Sequence, residues 1–248
     1  MKTSFHGLYN QEGLEVSKEK KVVVLQSNYL PWKGYFDLIA RADVFVFYDD
    51  VQFTKNDWRN RNKIKTPRGA EWISIPCGTD LKRLINEVTI TRHDWQQDHW
   101  NRIKMNYASA PYFNLYKDFF EDFYLNRIWN NLSELNQYLI VAISKQFLKL
   151  DTEFMHSSTF YPEGVRQDRL MDVLRKVGAT EYISGPSAKS YISEESFEKE
   201  HMKLTWMDYS HYPVYPQQFP PFVHDVSVID LLFNEGTASI QYLTQPAP

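Results

Sequence analysis

Amide and aromatic side chains crowd residues 26–35, directly after a short apolar run at residues 22–25. Amides read hydrogen-bonding ligands, and aromatic rings stack on sugars or bases. Ligands of open parallel sheets bind outside the carboxyl ends of the strands, so this segment is a candidate ligand loop. The alternative is that the amides only close a turn and the rings belong to the core. The candidate binding residues here are Gln26, Asn28, Tyr29, Trp32 and Tyr35.

Two adjacent carboxylates, Asp49 and Asp50, follow a second apolar run at residues 44–47. Neighbouring side chains on a strand point to opposite faces, so only one of the two can face a pocket. That carboxylate could act as a general base, hold a sugar hydroxyl or bind a divalent cation. A cap beside a cationic patch is the alternative. Gln52, two residues further on, is a candidate substrate-binding residue. His211 is a third candidate base, because imidazole titrates near neutral pH.

A cationic row at period two forms the next candidate: Arg59, Arg61, Lys63 and Lys65. On a strand these four side chains project from one face, and Asn60 takes the other. A guanidinium matches phosphate oxygens, and a compact cationic stripe in a net-acidic chain favours a diphosphate over a long nucleic acid. A solvated hairpin face is the alternative.

A short turn after a later strand supplies the last binding candidates, Ser184, Gly185 and the nearby Tyr191. The alternative is a turn with no ligand. The densest polar motifs follow the ends of separate strands, so we expect several of them to meet in one cavity. That expectation covers Gln26, Tyr29, Asp49, Asn60 and Arg61.

Apolar periodicity predicts the elements that position these groups. The runs at 22–25 and 44–47 are predicted to be buried strands, with a helix between them that carries Tyr35, Leu38 and Ile39 on one face. Strand, helix and strand make a βαβ unit with parallel strands and a right-handed connection. Residues 58–65 and 71–75 predict a hairpin. A further strand is expected at 88–90.

The rest of the chain is mainly helical, with helices expected at about 94–107, 115–124, 131–147, 170–177 and 226–233 and a small acidic one after Ser193. Short strands are expected at 182–185 and from Lys203, and an ordered loop or lid at 210–222. The fold class is therefore α/β, a Rossmann-like sheet with parallel strands in the N-terminal half, an inserted β-hairpin and a helical segment at about 94–150. We expect a flexible leader at 1–20, a single α/β domain at 21–243 and a tail at 244–248.

Composition narrows the class of protein. The chain of 248 residues is 43% hydrophobic, which suffices for a sizeable core. Its 28 basic and 31 acidic residues argue against a nucleic-acid binder. The one cysteine, Cys77, excludes an internal disulfide and a multi-cysteine metal site, and no metal site is expected. No apolar run is long enough to span a membrane and no secretory signal opens the chain, so a cytoplasmic protein is expected.

Several of these segments resemble the WbqC-like family: residues 26–36, 45–53, 58–66, 182–186 and 227–234. The resemblance covers about residues 21 to 243. It implies a role in bacterial O-antigen (lipopolysaccharide) and other surface-glycan biosynthesis, with a nucleotide-linked sugar, often an amino sugar, as the substrate. It implies a pathway more than a reaction.

The leading hypothesis is a transferase that moves an acyl or aminoacyl group to the amine of a nucleotide sugar. In it the cationic row contacts a diphosphate or a carrier's phosphopantetheine, and His211, Asp49 or Asp50 takes the amine proton. The implied donor is an acyl-CoA, an acyl-carrier protein or another activated acyl group. One alternative is a non-catalytic sugar-nucleotide or carrier-binding protein. The other is a metal-dependent nucleotidyl or glycosyl transferase, with the cation on Asp49 or Asp50.

Overall fold

The computed structural model describes residues 19–54 and 56–243. Its strands are β1 (Lys21–Leu25), β2 (Val44–Phe47), β3 (Arg61–Thr66), β4 (Gly69–Ser74), β5 (Glu153–His156), β6 (Glu181–Ser184) and β7 (Lys203–Trp206). Its helices are α1 (Lys33–Arg41), α2 (Asp94–Tyr107), α3 (Phe113–Leu125), α4 (Leu132–Ala142), α5 (Arg166–Val177), α6 (Glu194–Lys199) and α7 (Val228–Glu235). Among these described helices, none has the length and apolarity needed to cross a membrane.

A five-stranded parallel sheet organises the chain, in the order β5-β2-β1-β6-β7. β1 pairs with β2 in parallel, with Val22 opposite Val44, and α1 connects the two strands. The predicted βαβ unit and α/β fold class are therefore confirmed. The chain builds outward from β1 through β2 to β5, then returns to the other side of β1 with β6. The strand order thus reverses between β1 and β6, the position where such sheets bind ligands.

Alternating residues of the central strands fill two separate cores. Val22 and Val24 face one side, where they pack with Leu174 of α5 and Phe197 of α6. Val23 faces the other side, which is covered by α1, α2, α3, α4 and α7. A parallel sheet covered on both faces needs continuous apolar strands. The runs VVVL and VFVF meet that need, and burial of each such side chain contributes about 1.5–3 kcal/mol.

The predicted hairpin is present as β3 and β4, paired antiparallel and separate from the main sheet. Ile64 and Ile73 are fully buried against the helical layer. Asn62, also buried, donates to the backbone carbonyls of Tyr29 and Leu30, at 3.1 and 2.6 Å. These bonds attach the hairpin to the loop that follows β1, so the segment just before β3 lies beside that loop.

Helix ends follow the chemistry read from the sequence. Asn131 caps α4 by accepting a hydrogen bond from the backbone of Glu134, at 3.0 Å. Gly178 ends α5 with φ +75°, a left-handed conformation that glycine adopts without a steric penalty. Ser193 precedes α6 as expected, although its side chain makes no capping bond.

The structure differs from the sequence expectations at two strands. Residues 88–90 form no strand: only an isolated bridge joins Thr89 to Asn131. The edge strand β5 was not predicted, because its sequence EFMH is short and only half-buried and shows no alternation. The expected tail at 244–248 and positions 1–18 of the expected leader lie outside the described residues. Lys20, the last leader residue, donates its backbone N–H to Thr180 at 2.8 Å.

Candidate functional site

A cavity of about 1090 Å³ opens at the reversal point of the sheet. Gln26 and Asn28 line it from the loop after β1, and Ser184 and Gly185 line it from the turn after β6. This volume slightly exceeds the usual range of small-molecule sites, about 300–1,000 Å³. The cavity therefore occupies the place where α/β sheets bind ligands and has room for a ligand of nucleotide-sugar size.

Aromatic rings form one wall of the cavity. Trp32, which precedes α1, meets the ring of Tyr209 edge-on, with centroids 5.0 Å apart. Trp58 and Tyr191 add two more rings, both partly exposed to solvent at 38% and 69%. Exposed aromatic faces in a concave site stack on sugar rings and bases.

The first turn of α5 forms a cationic wall. Arg166 and Arg169 both line the cavity. The side chain of Arg166 has no hydrogen-bond or ion-pair partner among the described residues, and its backbone takes the left-handed φ of +51°. Non-glycine residues held in this conformation store strain and concentrate at functional sites. Arg169 is fixed by Asp50, 2.6 Å from its Nη2, and by the carbonyl of Pro162. The wall therefore combines one fixed and one unpaired guanidinium with a helix N-terminus.

Amides form the third wall, and Arg59 lies behind them. Its guanidinium donates to Asn28 Oδ1 and to Gln26 Oε1, the second at 3.2 Å. Tyr35, another lining residue, donates its hydroxyl to the Gln26 carbonyl at 2.9 Å. Burial raises the pKa of Tyr35 well above its ordinary value, so it stays a neutral donor there. The loop after β1 is thus held from both sides.

The two adjacent carboxylates bind different partners. Asp49 is buried and accepts from Ser27 N at 2.8 Å, from Gln137 Nε2 at 2.9 Å and from Ser133 Oγ. Asp50 accepts from Ser157 and Arg169. Neither carboxylate lines the cavity. Asp49 joins β2 to α4, and Asp50 holds the cationic wall.

The residues of the cationic row bind other parts of the protein. Arg59 precedes β3, Arg61 stacks on the ring of Trp72 at 4.3 Å, and Lys63 pairs with Asp225. Lys65 is buried, 1% exposed, and donates to a backbone carbonyl at 2.8 Å. Lys63 also lies over the ring of Trp72, at 5.2 Å, so every cation of the row has a partner among the described residues.

The predicted site residues divide into two groups. Those that line the cavity are Gln26, Asn28, Trp32, Tyr35, Ser184, Gly185 and Tyr191. Those that do not are Tyr29, Asp49, Asp50, Gln52, Arg59, Asn60, Arg61, Lys63, Lys65 and His211. Of the five residues expected to converge, only Gln26 lines the cavity.

The non-lining residues have other surroundings. Tyr29 is buried and bonded to His99 at 2.9 Å and to Tyr124. Gln52 and Asn60 donate to backbone carbonyls, at 3.0 and 2.8 Å. His211 lies in an exposed part of the loop, 3.6 Å from the carboxylate of Asp208.

The lining residues that sequence reasoning missed include Arg166, Arg169, Tyr209 and Asp225. No motif marks them. A weak signal existed, because a helix that enters β6 must begin near the carboxyl end of the sheet. Within residues 19–54 and 56–243, no three His, Cys, Asp or Glu side chains group in a way that could hold a metal ion.

Comparisons with known proteins agree with the sequence motifs. The chain is 42% identical over 226 residues to "Uncharacterized protein Rv1507c" of Mycobacterium tuberculosis (strain ATCC 25618 / H37Rv), covering 90% of this chain and 97% of that protein. No solved structure matches the chain. Residues 26–242 match the WbqC-like protein family, which is most of the chain and all three walls of the cavity. The chain belongs to the WbqC-like protein family.

Proposed function

We propose that the protein binds a nucleotide-linked amino sugar in this cavity and transfers an acyl or aminoacyl group to the sugar amine. The observation that carries the proposal is one cavity in which a cationic helix start faces aromatic and amide walls. The family resemblance adds the pathway, bacterial surface-glycan biosynthesis in the cytoplasm.

The diphosphate belongs at the start of α5. Arg166 and Arg169 supply guanidinium groups that match phosphate oxygens, and both lie in the first turn of a helix, where the helix dipole favours an anion. Trp32 and Tyr209 supply a surface on which the sugar or the base stacks. These assignments leave the amide wall for the group that is transferred.

Asp225 is the proposed proton acceptor, in place of the bases expected from the sequence. It is the carboxylate among the residues that line the cavity, and its Oδ2 accepts a hydrogen bond from Lys63 Nζ. In the transfer, the amine nitrogen forms a bond to the carbonyl carbon of a thioester donor, and the carbon–sulfur bond breaks. The departing thiolate receives the amine proton through Asp225.

A non-catalytic binding protein of the same pathway is the second candidate. It is favoured by one observation: none of His211, Asp49 and Asp50 lines the cavity. Both candidates require the nucleotide sugar to bind, and only the transferase requires a base.

The test has a binding stage and a turnover stage. Thermal unfolding is measured with UDP-glucosamine, UDP-glucose, UMP and buffer, since a ligand at a hundredfold excess over Kd stabilises by about 2.7 kcal/mol. Transfer is then measured with UDP-glucosamine and acetyl-CoA for the wild type, Asp225→Asn and Asp118→Asn, an exposed carboxylate on α3. We expect turnover in the wild type and the control only. Binding without turnover would favour the binding protein, and no stabilisation by either UDP-sugar would refute both.

A further inference from the structure

Arg59 lies between two amide side chains of the cavity wall and touches the oxygen of each. Its Nη1 donates to Asn28 Oδ1, and its Nη2 donates to Gln26 Oε1 at 3.2 Å. Both amides line the cavity, whereas Arg59 itself lies behind them.

The chemistry of a guanidinium fixes how these amides are oriented. Arginine has five N–H donors and no acceptor, so only the oxygen of an amide can face it. The NH₂ groups of Gln26 and Asn28 must then point away from Arg59. Neither NH₂ group has a hydrogen-bond partner among the described residues, and both side chains are only half-buried. The wall therefore presents two amide donors to the cavity and no amide acceptor.

Arg59 is itself held in place. Asn136, fully buried on α4, donates to the Arg59 carbonyl at 2.8 Å. The backbone N–H of Tyr29 donates to the carbonyl of Trp58 at 3.0 Å, which joins this segment to the loop after β1. Asp57 lies 3.6 Å from the guanidinium and offsets part of its charge. Rotation of either amide would break a charge-assisted bond to a fixed group.

We propose that Arg59 is a positioning residue that makes Gln26 and Asn28 a donor-only subsite, and that this subsite receives the carbonyl oxygen of the acyl group. The inference rests on the proposed function, because it places the transferred group beside a bound nucleotide sugar. A carbonyl oxygen accepts from both NH₂ groups. A protonated sugar amine carries only donors and a positive charge, so it is disfavoured at the same place.

The geometry also explains why Arg59 and Arg166 differ in role. Phosphate oxygens need direct contact with a free charge, which Arg166 offers. The acyl carbonyl is neutral, and neutral amide donors backed by a partly compensated guanidinium suit it. The cavity is thereby divided into a charged and a neutral recognition wall.

The experiment compares two probes that differ in the acyl group. Affinities for UDP-N-acetylglucosamine and UDP-glucosamine are measured by calorimetry near neutral pH for the wild type, Asn28→Asp, Arg59→Met and Gln97→Glu. Asn28→Asp keeps an oxygen on Arg59 and replaces the NH₂ donor by an acceptor of similar shape. Gln97→Glu makes the same change in charge on the exposed face of α2 and is the matched control.

We expect the wild type and Gln97→Glu to prefer the N-acetyl sugar by about tenfold, which corresponds to about 1.4 kcal/mol. Asn28→Asp should reverse the preference, since a carboxylate accepts from the ammonium group. Arg59→Met should bring the ratio close to one with the fold retained in thermal unfolding. Binding of both probes with the same ratio in the wild type and Asn28→Asp would overturn the donor subsite and leave the proposed function standing. If neither probe binds to the wild type, the proposed function is overturned, and the inference with it.

Discussion

Lys33, the first residue of α1, gives a pH dependence of stability whose size follows from its surroundings. The residue is 2% exposed, and its ammonium lies 4.9 to 5.7 Å from the ring centroids of Tyr212, Tyr215 and Phe222. Its Nζ donates to the Pro213 carbonyl at 3.1 Å. Burial lowers the pKa of Lys33 from 10.5 to about 8, although nearby Asp230 acts in the opposite direction.

The sign follows from which state binds the proton. Between pH 8 and 10.5 the unfolded chain keeps Lys33 protonated and the folded chain does not, so the unfolding free energy rises with pH. One pKa unit corresponds to about 1.36 kcal/mol. The rise attributable to Lys33 between pH 7 and 9.5 is then about 2 kcal/mol, because part of the shift lies above that window.

The assay compares wild type with Lys33→Met, since the variant keeps the buried stem and removes the charge. Unfolding free energies are measured in urea at several pH values from 7 to 9.5. The pKa of His224, which burial and then Lys33 lower, lies below this pH range in both proteins, so the difference between them isolates Lys33. We expect the wild type to gain about 2 kcal/mol on the variant across this range. A constant difference, or one that falls with pH, would refute the reasoning.

Three further predictions address the cationic wall, its support and the cysteine. Arg166→Ala should weaken UDP-glucosamine binding by about 1.5–3 kcal/mol in calorimetry and leave stability unchanged, because no described residue is bonded to its side chain. Arg68→Ala, on the exposed hairpin turn, is the control, and equal affinities in the wild type and both variants would remove α5 from the site. Asp50→Asn should lower the unfolding free energy in urea by about 3 kcal/mol, because Arg169 loses a largely buried partner; a loss near zero would contradict that role. Burial raises the pKa of Cys77 to about 12, so iodoacetamide should leave the folded protein unlabelled at pH 8 and label it in urea, whereas fast labelling of the native state would contradict the burial.

Local sequence patterns predicted the strands in which every residue is apolar. The runs at 22–25 and 44–47 read as strands because both sheet faces are covered, which makes every position apolar. The sequence did not predict strand β5, because β5 is paired on one side only and Glu153 and His156 at its ends are exposed. Val88 and Ile90 are buried, but their segment pairs with residues 130–132 through a single bridge, and a short apolar run does not distinguish a bridge from a strand.

Site prediction succeeded where a residue type and a sheet position coincided. Gln26 and Ser184 were predicted from the ends of strands, and both line the cavity. The cationic row was defined by spacing alone, and spacing does not reveal partners that come from distant parts of the chain. Lys63 meets Asp225, 162 residues away, and Lys65 meets the Pro221 carbonyl, 156 residues away. Such long-range pairs decide which cations stay free for a ligand.

The acidic pair shows how the period of a strand limits its chemistry. Side chains at adjacent positions of a strand point in opposite directions. Asp49 accepts a hydrogen bond from α4, and Asp50 accepts one from Arg169. Neither carboxylate lines the cavity, so neither is placed to take a proton from a ligand bound there. The pair therefore fits the support of the cavity better than proton transfer. The base, if the protein is a transferase, must come from a carboxylate that faces the ligand, which is the position of Asp225.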